Sequence, residues 1–307
     1  MKILVTGGAG FIGSHIVDAY VEGGHKVVVV DNLSTGRETN INRQATFHRA
    51  DIRDADLIKK IFHAEKPDVL CHQAAQIDVR RSVSDPAYDA SVNVLGFLTL
   101  AEACLRSGVS NMVFASSGGA IYGEQDYFPA DESHPTRPIS PYGVAKLVTE
   151  QYLYYYHTVH GLKSVSLRYA NVYGPRQNPE GEAGVVAVFA SRMLKGDQPL
   201  INGDGKQTRD YVFVGDVVRA NVLALDQDEW NIYNVGTGIE TDVNALFRHI
   251  RSKSGSSCEE RHGEAKVGEQ LRSVLSYEKI EGQLGWQPEV SIEEGLGRTV
   301  DHFRTVR

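Results

Sequence analysis

The stretch from Thr6 to Gly13, Thr-Gly-Gly-Ala-Gly-Phe-Ile-Gly, follows directly on the apolar run Ile3, Leu4, Val5. An apolar run that ends in glycines and leads into the amphipathic segment Phe11 to Glu22 reads as strand, tight turn and helix, the opening of a βαβ unit. Gly8, Gly10 and Gly13 give the spacing G-x-G-x-x-G: one glycine for the turn, one for close backbone approach to a pyrophosphate, one for helix-to-strand packing. The free N–H groups and positive end of the new helix would face the phosphates. A glycine-rich turn can also be only a turn, so its neighbours decide.

Lys26 to Val30 reads as a second buried strand and ends at Asp31, where a carboxylate can accept hydrogen bonds from the adenosine ribose hydroxyls. That carboxylate would repel a 2′-phosphate, and no Arg follows until Arg37, so the expected cofactor is NAD, not NADP. Strand-like runs recur at Thr46 to Arg49, Asp68 to His72, Met112 to Ser116 and Ser164 to Tyr169, with helical patterns between them. This alternation predicts an α/β, Rossmann-type doubly wound parallel sheet. Asp51 and Ile52 lie where a strand end could meet the adenine ring, although Asp51 could equally cap the helix that begins near Asp54. His72 to Gln76, with the small Ala74 and Ala75, ends the fourth strand on the carboxyl edge, where such sheets bind ligands. A long helical pattern runs from Asp85-Pro86 to Ser107, and Asn93 within it needs a partner in another loop or in the cofactor.

With 32 basic and 39 acidic residues among 307, the net charge of -7 gives no global basic field to hold nucleic acid or an anionic membrane. Phosphates must be met locally. Met1 leads straight into the first strand and no apolar run is long enough to span a bilayer, so a cytoplasmic address is expected. Cys71, Cys104 and Cys258 are odd in number and scattered; they read as reduced thiols, and no metal site is expected.

At the end of the fifth run stand Ser116, Ser117, Gly118 and Gly119, more hydroxyl and glycine than a turn requires. Ser140-Pro141-Tyr142-Gly143-Val144-Ala145-Lys146 then opens a helix with proline near its first turn. Tyr142 and Lys146 are four residues apart and share one face. An ammonium beside a phenol favours the phenolate, so Tyr142 is expected to titrate below its usual value of about 10 and to act as an acid/base.

In the order glycine turn, Asp31, Ser116-Ser117, Tyr142, Lys146, the chain resembles the extended short-chain dehydrogenase/reductases, and among them the UDP-glucose (UDP-galactose) 4-epimerases, over nearly its whole length. The resemblance implies Tyr142 as catalytic base, with Lys146 holding the nicotinamide ribose and tuning it. It implies a cofactor-binding set of Gly7, Gly10, Phe11, Ile12, Gly13, Asp31, Asn32, Asp51, Ile52, Ala74, Ala75, Asn93, Ser116 and Tyr169. Family members commonly carry Ser or Thr where this chain has Gly118. Either Ser117 relays the proton from one position back, or Tyr142 contacts the sugar hydroxyl directly with Ser117 assisting; the second is preferred.

After Tyr169 the pattern leaves the sheet, and a smaller mixed α/β domain for the substrate is expected. The expected division is 1–172 for the cofactor, with 211–237 returning to it, and 173–210 with 238–307 for the nucleotide sugar. By resemblance Asn171 and Arg209 contact the diphosphate and Val185 lies beside the uracil. Lys266 and Arg272 are further phosphate candidates and Glu269 a ribose contact, although the family's Arg-Pro-Gly-Asp/Glu reads Lys-Val-Gly-Glu here. Ser273 stands where some relatives carry a bulky Tyr that excludes N-acetylated sugars, which implies tolerance of UDP-N-acetylhexosamines.

The run Tyr152 to Tyr156 covers every side of the Tyr142 helix, so part of it needs a second buried surface. Relatives dimerise through this helix and the one ending near Ser107, and a homodimer is expected. The activity implied is NAD-dependent interconversion of UDP-glucose and UDP-galactose through a 4-keto sugar. A UDP-glucuronate 4-epimerase shares this machinery. Dehydratases and decarboxylases need acids where Gly119 and Ala120 stand, and a non-catalytic NAD-binding regulator would not need Tyr142 and Lys146 together.

Overall fold

The computed structural model describes residues 1–180, 184–265 and 270–306. Lys266 and Glu269, two expected substrate ligands, lie outside the described residues.

The strand-like runs become the strands β1 (Lys2–Thr6), β2 (Lys26–Asp31), β3 (Thr46–Arg49), β4 (Val69–His72), β5 (Asn111–Ser117) and β6 (Lys163–Tyr169). They form a seven-stranded sheet with the strand Asn231–Val235, in the order 231–235, β6, β5, β4, β1, β2, β3. The pairs β3/β2, β2/β1, β1/β4 and β4/β5 are parallel. Ile3, Leu4 and Val5, like Leu70 and Cys71, have no exposed surface, because helices cover both faces of a parallel sheet and leave its strands no polar side. Strand order reverses between β1 and β4, and a doubly wound sheet binds its ligand in the crevice beyond such a reversal. Here Thr6 pairs with His72, and their side chains meet at 2.7 Å.

The expected long helix is three pieces: Pro86–Ala90, a π turn over Ser91–Leu95, and Gly96–Ser107. Gly96 shows why the last piece packs closely, since a Cβ there would stand 2.7 Å from Ile52 Cδ1. The helix Pro141–His160 starts at Ser140, whose side chain accepts the Gly143 N–H at 3.1 Å, and stops at Gly161 with φ +71°. A cap of this kind contributes about 1 kcal/mol.

Two compact units partition the chain, one of residues 1–121, 138–168 and 218–233, the other of 122–137, 169–217 and 234–307. The expected division differs at 122–137, 169–172, 211–217 and 234–237, all of which fall in the second unit. Thr208–Phe213 does not return to the main sheet: it is the spine of a four-stranded sheet with Asn171–Tyr173, Glu240–Asp242 and Arg272–Ser273. Residues 122–137 also leave the first unit, because Ala130 exchanges hydrogen bonds with Val274 and Ser276 at 3.0 and 2.8 Å and Gln125 accepts the Val274 N–H. Such pairings over more than a hundred residues leave no periodic mark on the sequence.

Cys71 and Cys104 are fully buried free thiols, and burial pushes Cys71 up to about 11. Among the described residues no helix is long and apolar enough to cross a membrane, and no cluster of side chains could hold a metal ion.

Candidate active site

The turn after β1 is built by exclusion of side chains. Gly7 has φ +72°, and a Cβ there would lie 2.6 Å from the Ala74 amide nitrogen. This brings Gly7 and Ala74 together at the strand-order reversal. A Cβ on Gly13 would collide with the Gly7 carbonyl oxygen, so the helix Phe11–Glu22 can approach the turn only as glycine. Gly8 instead clears Val29 on β2: its role is packing. Gly10 caps the helix without a side-chain acceptor and no acid occupies the first turn, so first-turn N–H groups remain for an anion. The cradle fits a dinucleotide diphosphate. Phe11 and Ile12 open the helix, half-buried.

Asp31 ends β2 with its carboxylate fixed by the Ala9 N–H at 3.0 Å and the Leu33 N–H at 2.8 Å. Each oxygen keeps lone-pair capacity for a ribose hydroxyl. Asp51 does not cap the following helix; Asp54 does, accepting the Leu57 N–H. Asp51 is instead gripped by Arg53 at 2.8 and 2.9 Å and by Asn32 at 3.1 Å, and the Arg53 guanidinium holds its carboxyl well below the usual range. Asn93, inside the π turn, takes the loop reading: its side chain accepts the Gln76 N–H and donates to the Gln76 carbonyl, both at 2.9 Å. It thereby fixes the strand end that carries Ala74 and Ala75.

Tyr142 and Lys146 project from the Pro141–His160 helix toward the end of β5. Gly143 permits this, since a Cβ there would lie 2.5 Å from the Ala120 carbonyl oxygen. The buried Lys146 Nζ donates to the Ala115 carbonyl at 2.7 Å and stands 4.8 and 5.7 Å from the Phe114 and Tyr142 ring centres. Two ammonium protons remain for ribose hydroxyls. Burial lowers Lys146 to about 8, opposed by the charges of Asp89 and Glu150. The expected depression of the Tyr142 phenol is not found in the free protein. Burial pushes it up to about 12, and the opposing pull comes from a hydrogen bond with Ser117, not from Lys146. The lysine is engaged with a backbone carbonyl beneath the ring, so desolvation dominates.

Ser116 turns away from the Tyr142 phenol. Its hydroxyl donates to Glu150 at 2.6 Å, and Arg168 grips the same carboxylate at 3.0 and 2.6 Å. Glu150 and Arg168 are 1 and 3 % exposed. A buried charge survives only when paired, and breaking such a pair costs about 3–5 kcal/mol. Sequence reasoning missed both residues. The signals were present: Glu150 continues the Tyr142, Lys146 spacing by four, and Arg168 interrupts an apolar strand. Tyr169 follows, buried at the end of β6.

In the second unit the four-stranded sheet sets Arg209 opposite Ser273 and Asn171 opposite Tyr211. Arg209 is half-buried and donates to the Thr208 carbonyl; Asn171 is exposed and Ser273 buried. Val185 opens the helix Val185–Lys195. Arg272, a further phosphate candidate, is already engaged: its fork grips Glu240 at 2.9 and 2.7 Å and its guanidinium lies 3.7 Å from the Phe128 ring centre. Asp210, also missed from sequence, is buried and accepts N–H groups of Thr237, Gly238 and Leu275, tying two segments to its strand.

A doubly wound sheet with a side-chain-free phosphate cradle, an acid at the end of β2 and a Tyr–Lys pair beside a strand-end serine defines a dinucleotide-dependent enzyme of the short-chain dehydrogenase/reductase type. The family model described as the NAD dependent epimerase/dehydratase family matches residues 3–236, and the chain belongs to that family. It is 45 % identical to a UDP-glucose 4-epimerase of Mycolicibacterium smegmatis over 99 % of both chains. A UDP-glucose 4-epimerase of Thermotoga maritima, solved with UDP-glucose, is similar with a TM-score of 0.98 and 50 % identity over 100 % of this chain and 99 % of that one. The Thermus thermophilus UDP-glucose 4-epimerase, solved with NAD, has a TM-score of 0.96 and 48 % identity over the whole of both chains.

Proposed function

We propose that this protein interconverts UDP-glucose and UDP-galactose by NAD-dependent 4-epimerisation through a 4-keto sugar. The observation that carries the reading is the juxtaposition of Ser117, Tyr142 and Lys146 at the end of β5. When bound, NAD supplies a reversible hydride acceptor for sugar C4. Gly7, Gly10 and Gly13 make room for its diphosphate, Asp31 receives the adenosine ribose hydroxyls, and Lys146 holds the nicotinamide ribose. Asn32, Asp51, Ile52, Ala74, Ala75 and Tyr169 line the remainder. Tyr142 takes the proton of the sugar 4-hydroxyl and later returns it, with the Ser117 hydroxyl in the same hydrogen-bond path. The positive charge of the bound nicotinamide would add to the Ser117 hydrogen bond and bring the phenol into range.

Asn171 and Arg209 hold the UDP diphosphate, and Val185 flanks the base. Arg209 suits this through its planar fork, while Arg272 would have to leave Glu240 first. Firm fixation of the nucleotide with few contacts to the hexose lets the keto sugar present either face. The small Ser273 leaves room for an acetamido group, extending the substrate range to UDP-N-acetylhexosamines.

The same reading includes a homodimer. Val144, Tyr152, Tyr155 and Val159 form an exposed stripe at helical spacing on the Pro141–His160 helix, while Leu153 and Tyr156 are buried. Light scattering at twice the monomer mass is the expected result. A cytoplasmic address accords with the free thiols. The function itself is tested by incubating the protein with UDP-galactose, without added NAD, and following UDP-glucose. No conversion of any UDP-hexose, with NAD then supplied, overturns the assignment.

A further inference from the structure

Asp89 is an acidic residue on the short helix Pro86–Ala90 and is only 1 % exposed. A carboxylate in that position needs hydrogen-bond donors or a counter-charge. Its Oδ1 accepts from Gln76 Nε2 at 2.9 Å and from Asn93 Nδ2 at 3.0 Å. Its Oδ2 is equally buried and has no hydrogen-bond partner.

The groups that hold Asp89 are those that hold the site. Asn93 grips both polar groups of the Gln76 backbone, Gln76 also bonds the Asp78 backbone through both ends of its amide, and Thr149 of the Pro141–His160 helix donates to the Asn93 carbonyl. The Asp89 carboxylate acts on Lys146 and Tyr142 of that helix, and Glu150, itself paired with Arg168, acts on Lys146 as well. Arg80 and Arg81, on the neighbouring helix Val79–Ser84, are exposed, and Arg81 is turned onto the Tyr88 ring.

We propose that Asp89 is a positioning residue of the active site, whose half-satisfied buried carboxylate clamps the Gln76–Asp78 loop through Gln76 and Asn93 and shares with Glu150 the counter-charge of the Lys146 ammonium. The proposal rests on the epimerase reading above. Burial raises the Asp89 carboxyl, opposed by Gln76, Lys146 and Asn93, so the negative form depends on these same partners. Its charge has two consequences of one sign. It favours the Lys146 ammonium and disfavours the Tyr142 phenolate, so both groups titrate higher than they would without it.

Asp89→Asn keeps the shape and the acceptor for Gln76 and Asn93 while removing the charge. Both limbs of the kcat–pH profile should then move to lower pH, by about one unit, with KM for UDP-galactose changed less than about two-fold. Asp89→Glu, which restores the charge, should bring the limbs back toward wild type. An active Asp89→Asn enzyme with an unmoved profile overturns the proposal and leaves the epimerase assignment intact; an inactive wild type overturns the assignment instead. If Asp89→Asn does not fold, Asp89→Ser removes the same charge with less bulk and carries the same expectation. Failure of both to fold assigns the carboxylate to stability alone and also overturns the proposal.

Discussion

Gly143 and Ala120 approach so closely that a single added methyl group on the glycine would stand 2.5 Å from the alanine carbonyl oxygen. The contact fixes the start of the Pro141–His160 helix against the turn after β5, and so sets Tyr142 beside Ser117. Gly143→Ala must push the helix outward. It should cost about 1–3 kcal/mol of stability, as overpacking does, and lower kcat at least about ten-fold through misplacement. Thermal unfolding and steady-state kinetics check both; a fully active variant would separate Tyr142 placement from this contact.

Tyr142→Phe removes the proton-transferring group and little else. Turnover should fall by about 10²–10⁴-fold while the unfolding temperature stays within a few degrees. Ser117→Ala should lower kcat by about ten-fold or more, because the phenol loses the one group that opposes the upward push of burial. Full turnover by Ser117→Ala would remove that hydroxyl from the mechanism.

His72 is buried against Phe97 and Phe114, and burial, reinforced by the Lys146 charge, lowers it from 6.5 to about 3. Between those values the folded ring stays neutral while the unfolded one binds a proton. Its contribution to stability is therefore complete above about pH 6.5 and declines as pH falls toward 3. His72→Gln, neutral throughout, should show a shallower loss of stability over this window in denaturant titrations at stepped pH. An unchanged slope would place the proton elsewhere.

Ser273 is small and buried on the strand beside Arg209. The wild type should turn over UDP-N-acetylglucosamine as well as UDP-glucose, and Ser273→Tyr should abolish the first activity while retaining the second. Product analysis by ion-exchange chromatography reads both. Absence of N-acetylated turnover in the wild type would remove this residue from specificity.

How much of this was legible in the chain varies with the range of the interaction. The strands from β1 to β6 lie within a residue of their expected limits; for β1, β2 and β4 the reason is that a buried parallel strand needs a continuous apolar run and glycine or a polar residue to end it. The glycine turn and the acid after β2 were readable for a similar reason: the chemistry is made by residues close together in sequence. The Tyr142–Lys146 pair was readable as geometry but not as electrostatics. Spacing fixed the shared helix face, whereas the position of the Lys146 ammonium on the Ala115 carbonyl, and the burial of the phenol, come from β5 packing across it.

The clamp of Asp89, Asn93 and Gln76 and the triad of Ser116, Glu150 and Arg168 were not legible as networks: Asn93, Glu150 and Arg168 each carry a local signal, but the partner of each lies on another element. The same holds for Thr208–Phe213, which has the composition of a main-sheet strand and forms its own sheet with partners on both sides. By itself the sequence determined the doubly wound half, the glycine turn, the carboxylate that ends β2 and the shared helix face of Tyr142 and Lys146, because local periodicity and steric need specify them. Tertiary structure alone decided where 122–137 and 208–213 belong, which carboxylate answers Arg168, and how the phenol and ammonium titrate. Those outcomes depend on burial and on hydrogen bonds between residues far apart in the chain.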